Sequence, residues 1–112
     1  MVVYRRAGEG IQNGYPNRFA DPILIDLVTD IMALYTPEVE SCETTVCCSD
    51  HQSFTEQGFS ATQFFERCGA IADPMYHNVD DVVKRDGFDI DGQLLSLSKA
   101  CVAAAATLLE PV

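Results

Sequence analysis

Two histidines and five cysteines are the side chains of this 112-residue chain best suited to chemistry, and their positions limit what that chemistry can be. A zinc site needs three or four N, S or O donors. With only His51 and His77 present, it must lean on carboxylates, thiolates or residues outside the chain. Taken alone, a histidine such as His77, next to Tyr76 on a loop, is more often a surface or core residue than a ligand. Cys42, Cys47, Cys48 and His51 lie close together and can be written as a three-thiolate, one-histidine structural zinc cluster. Adjacent cysteines point in different directions in an extended segment, however, and a tight-loop disulfide is the commoner outcome in an oxidised protein. Cys68 and Cys101 read as buried free thiols, which pack as small hydrophobes. Ser49, Asp50 and His51 have the residue types of a hydrolase triad, but a triad converges from separate elements and not from three consecutive residues. Asp80 and Asp81 could pair for acid–base work, although in an acidic chain a solvated turn or helix start is the commoner reading.

The elements that must position these residues follow from pattern and punctuation. Val2 to Tyr4 are β-prone and read as a strand end, followed by a turn-rich loop through Gly8, Gly10, Asn13, Gly14 and Pro16. Asp21-Pro22 supplies a cap and a proline at the first helical position. Leu24, Leu27, Val28, Ile31, Leu34 and Tyr35 then recur at helical spacing, so an amphipathic helix should run to just before Pro37. A loop follows, with a short strand expected at Thr44 to Cys48. Ser49 and Gln52 have the form of a capping box for a short helix closed by Gly58. Phe59 to Phe65 reads as a buried strand and Glu66 to Tyr76 as a loop. A last helix should start at Asp89 or Asp91, with Leu94, Leu97, Cys101, Ala105 and Leu108 as its inner stripe and Pro111 as its stop. Its alanines at 103 to 106 would let it pack closely against a sheet. Strands alternating with helices imply an α/β fold.

Composition narrows the classes further. Seventeen acidic against seven basic residues give a formal charge of −10, which would repel a phosphate backbone, so nucleic-acid binding is disfavoured. The longest apolar runs fall short of the roughly 20 residues that span a bilayer, so no membrane helix is expected. The N-terminus shows no secretory signal, whereas five cysteines suggest an oxidising compartment.

Two stretches together carry a resemblance: Cys48-Ser49-Asp50-His51-Gln52-Ser53-Phe54 with Gly58-Phe59, and Phe65-Glu66 followed by Tyr76-His77 and Asp81. In order and spacing they resemble the C-terminal region of the co-catalytic two-zinc aminopeptidases, typified by secreted leucine aminopeptidases. The resemblance covers the whole chain, residues 1–112, as one partial peptidase domain. It implies the C-terminal portion of an α/β/α sandwich with a mixed sheet, an extracellular or secretory-pathway location, and peptide substrates. It also implies two zinc ions in the complete fold, which polarise the scissile carbonyl and activate a bridging water.

Carried over residue by residue, the resemblance implies one zinc ligand here, His77, with the other ligands and the general base expected upstream of Met1. It places Met1, Phe65 and Tyr76 at the substrate pocket and Ser49 behind the metal centre. Met1 falls where members have the residue just after an acidic ligand. Val46 stands where many members have a tyrosine that helps polarise the substrate carbonyl, and Gln63, Gly69 and Ala72 also depart from the pattern. The isolated chain is therefore expected to be inactive, and apolar faces left uncovered are expected to favour self-association. A reading of a different class is a small acidic interaction module with structural disulfides and an incidental His77.

Overall fold

The computed structural model describes residues 1–110, so the helix stop expected at Pro111 lies outside the described residues. Its first half is a strand–helix–strand unit. Strand β1 (Ile11–Pro16) leads through helix α1 (Pro22–Tyr35) to strand β2 (Val39–Thr44), and the strands pair in parallel from Ile11 opposite Val39 to Pro16 opposite Thr44. A parallel pair requires such a crossover, because no hairpin can return the chain to the same end.

The bounds of α1 come from its own residues. The Asp21 carboxylate accepts from the Ile23 amide at 2.9 Å, and Pro22 takes a first-turn position where its missing N–H costs nothing. At the other end the Thr36 amide and hydroxyl both donate to the Met32 carbonyl, and Pro37 follows. The helix buries Val28, Ile31 and Met32, leaving Leu27, Leu34 and Tyr35 exposed, so its inner face is turned from the one its apolar spacing implies.

Helix α2 (Asp50–Glu56) starts at Ser49 and is followed by Gly58 in the left-handed region, at φ 86°. The expected capping box does not form. The Ser49 side chain makes no cap bond, and Gln52 donates instead to Glu56 on the next turn.

Two expected strands are absent for an identifiable reason. Around Phe65, hydrogen bonds go to different partners in turn. Its carbonyl accepts from Gly14, its amide donates to the Asn13 side chain, and the next amide donates to Met1. No single neighbour offers a ladder. Beyond Thr44 the chain likewise leaves β2, with the Thr45 amide bonded to Gly69 and the Val46 amide to the Thr44 hydroxyl. The region expected to be a loop before Pro16 is β1 itself. Gly14 fits there because a Cβ would collide with the Arg67 carbonyl.

The last helix begins with a wider turn. Asp89 caps Gly92 and Gln93, and the Leu94 amide reaches back five residues to the Asp89 carbonyl. This π-helical turn (Ile90–Leu94) runs into helix α3 (Leu95–Leu108). The buried residues of α3 are Ser96, Leu97, Ala100 and Ala104. Of the expected stripe only Leu97 is buried; Cys101 and Leu108 are exposed. Ala100 and Ala104 pack against Val28 and Met32 of α1, so the small residues serve a helix–helix contact instead of the expected helix–sheet one. Val2, Leu24, Val39 and Phe64 flank that core. None of the described helices is long and apolar enough to cross a membrane.

Candidate functional site

Three of the residues singled out by the sequence meet in one aromatic cluster next to β1. Phe65 is buried and is held by Asn13 and Gly14 of β1. Its ring meets Tyr76 edge to face, with centroids 6.4 Å apart, and Tyr76 stacks on the His77 imidazole at 4.1 Å. Edge-to-face and offset stacking are the arrangements that aromatic quadrupoles favour. His77 itself is exposed and sits at φ 58°, in the left-handed region that L-residues seldom adopt. Non-glycine residues held there cluster at functional sites, where surrounding structure enforces them.

That enforcement starts at Asp73. Its carboxylate accepts from the Met75 amide at 2.9 Å and its carbonyl from the Tyr76 amide at 3.3 Å, while Asn78 closes the next turn on Met75. The Asp73 side chain is fully buried, and Arg85 grips both its oxygens with two guanidinium nitrogens. Arg85 also reaches Asp81 at 2.6 Å. Burial is the largest single influence on Asp73 and works against its charge, but the Arg85 hydrogen bonds, the Met75 amide and the Arg85 charge together outweigh it and hold the carboxyl below the ordinary aspartate range. The same contacts, the Asp73 bond foremost, raise the guanidinium pKa.

A second buried carboxylate, Glu66, ties down the N-terminal segment. One oxygen accepts from the Val3 and Tyr4 amides at 3.1 and 3.0 Å, and the other is buried with no partner among the described residues. Burial raises its pKa despite those two bonds. The Glu66 amide donates to the Met1 carbonyl, and the Met1 side chain is exposed. Asp73 and Arg85 belong to none of the motifs in the sequence, and Glu66 belongs to one only as a neighbour of Phe65. An acidic residue before Pro74 and a lone basic residue past the acidic stretch were the available signals, and neither reveals its partner.

Ser49 stands apart: it is the exposed first cap of α2, with no hydrogen bond to the aromatic cluster among the described residues. The cysteines settle into two disulfides, Cys42–Cys68 and Cys47–Cys48. Cys68 is therefore not the free thiol expected, and the three-thiolate cluster with His51 does not form. His51 is buried instead, its Nε2 lying 3.2 Å from the Arg18 carbonyl. Cys101 is free but exposed rather than buried, although partial desolvation raises its thiol pKa.

The fit to zinc is incomplete. Among the described residues no group of three His, Cys, Asp or Glu side chains is placed to hold a metal ion, and disulfides consume four of the five thiols. These residues alone cannot close the three- or four-donor shell that zinc needs. The outer face of α3 carries a groove of about 940 Å³ lined by Tyr35, Val102, Ala103 and Leu109, and none of the aromatic cluster borders it.

No protein-family model matches the chain, and none of the curated proteins does. Solved structures do match it. Two crystal structures of LapA from Legionella pneumophila, one described as an aminopeptidase, superpose on it with TM-scores of 0.85 and 0.84 at 22% and 23% identity. They cover 99% and 100% of this chain, which spans 30% of each of theirs. The chain thus has the α/β fold of part of an aminopeptidase.

Proposed function

We propose that this chain is a share of a zinc-dependent aminopeptidase centre, contributing one metal donor and part of the pocket for the substrate's N-terminal side chain. The observation that carries this reading is the Phe65–Tyr76–His77 array, edge to face at its first contact and stacked at its second, with an exposed imidazole held in a left-handed backbone conformation, on a fold shared with LapA. Phe65 and Tyr76 offer an aromatic wall to an apolar side chain, and the exposed Met1 side chain is the third member of this pocket reading. The His77 imidazole is a nitrogen donor of the kind zinc accepts. Zinc, when bound, would supply Lewis-acid polarisation and an activated water. The disulfides and the secreted relatives that the sequence resembles support an extracellular location.

One donor cannot hold zinc in a closed geometry, so the remaining ligands must come from outside these residues. The purified 112-residue chain should therefore bind no stoichiometric zinc by elemental analysis and should not hydrolyse aminoacyl anilides when zinc is added. One zinc per chain, lost on His77→Ala, would mean that the chain completes a site by itself and would overturn the single-donor reading.

A further inference from the structure

The loop that carries Tyr76 and His77 has no regular secondary structure, yet it holds a stacked ring pair and a left-handed histidine in one arrangement. Something outside the loop must fix it. Arg85 contacts the loop before and after the ring pair. It takes both oxygens of Asp73, three residues before Tyr76, and one oxygen of Asp81, four residues after His77. Its guanidinium also lies 5.7 Å from the centroid of the Tyr4 ring and 5.8 Å from that of the Phe88 ring, a cation–π arrangement with both. Those two rings are themselves anchored, because Tyr4 and Phe88 form an antiparallel bridge and the Tyr4 amide is bound by buried Glu66.

We propose that Arg85 is a positioning residue that fastens both ends of the 73–81 loop and so sets the Tyr76–His77 pair against Phe65. Only arginine can do this, since a planar fork grips one carboxylate in two places while reaching a second; a lysine ammonium is a point charge. Asp73 then passes the constraint on through its bonds to Met75 and Tyr76. The helix core of Val28, Met32, Leu97, Ala100 and Ala104 shares no residue with this clamp, so losing Arg85 should loosen the loop and leave α1 and α3 in place. The inference rests on the peptidase reading only for its functional meaning, which is that the clamp places the donor nitrogen of His77.

Amide exchange and ring-proton shifts of the full chain, measured by NMR without metal or substrate, test it. In Arg85→Met, exchange at Met75, Tyr76 and Asn78 should rise about tenfold or more. The His77 ring protons should lose most of the shift caused by the Tyr76 face, while the Ala100 and Ala104 amides stay as in the wild type. Asp81→Asn, which leaves the Asp73 pair intact, should give a smaller change of the same pattern and serves where Arg85→Met does not fold. An unaltered loop in a folded variant overturns the proposal. So does a rise of equal size in α3, which would make Arg85 a general brace. Because no zinc is involved, failure here leaves the zinc test of the peptidase reading standing, and the reverse holds.

Discussion

Glu66 and Asp73 are both buried carboxylates, and their surroundings drive them in opposite directions. Burial prevails at Glu66, so its folded pKa is raised; at Asp73 burial is again the largest single influence, but the Arg85 fork, the Met75 amide and the Arg85 charge together exceed it and the folded pKa is lowered. A raised carboxyl binds its proton more tightly in the folded chain. Its stabilisation is complete below the ordinary glutamate value of about 4.3 and is lost as pH rises through the folded value. Asp73 does the reverse, stabilising above the ordinary aspartate value of about 3.9 and losing that contribution as pH falls through its lowered value. Glu66→Gln keeps a carbonyl oxygen for the Val3 and Tyr4 amides but cannot ionise. Urea midpoints measured from about pH 4 upward should therefore decline less with rising pH in this variant than in the wild type. Equal slopes would show that Glu66 carries no such linkage.

The elements differ in how much of them the sequence reveals, and the difference lies in where their determinants sit. Helix α1 is legible at both ends because Asp21, Pro22 and Pro37 act within a few residues of the bonds they decide. Strand β1 is not, because its glycine, proline and asparagine are accommodated by contacts more than 25 residues away, with β2 and with Phe65. The cluster of Phe65, Tyr76 and His77 is legible as residue types in an order that resembles a family's, but its clamp is not, since Asp73 and Arg85 meet only through the fold. In α3 the apolar period misleads by one residue on the helix face: large Leu108 is exposed while Ala100 and Ala104 are buried against α1. Close helix approach selects small side chains there, and size is then a poor guide to burial. Leu97→Ala should cost about 2–5 kcal/mol, as a buried leucine in the helix core. Cys101→Ala, on the expected stripe but exposed, should stay within about 0.5 kcal/mol. Chemical denaturation of the two variants checks this, and a large loss at Cys101 would restore the stripe drawn from periodicity.

At the scale of the whole molecule, the parallel strand pair, its crossover helix and the α3 layer reproduce part of an aminopeptidase fold at a sequence identity too low to transfer activity. A short circuit of residues joins the N-terminal segment to the aromatic cluster. Glu66 holds the N-terminal segment, that segment presents Tyr4 to Arg85, and Arg85 holds the loop whose rings end at His77. On the proposed function, this circuit delivers a metal donor to a peptidase centre completed from elsewhere. The direct measurement is a chimera in which residues 1–110 replace the superposed segment of LapA, assayed for zinc content and for release of N-terminal residues from peptides. The chimera should fold, hold zinc and cleave, and should lose both zinc and cleavage on His77→Ala while keeping its circular dichroism. Zinc content and cleavage unchanged by His77→Ala in a folded chimera would contradict it.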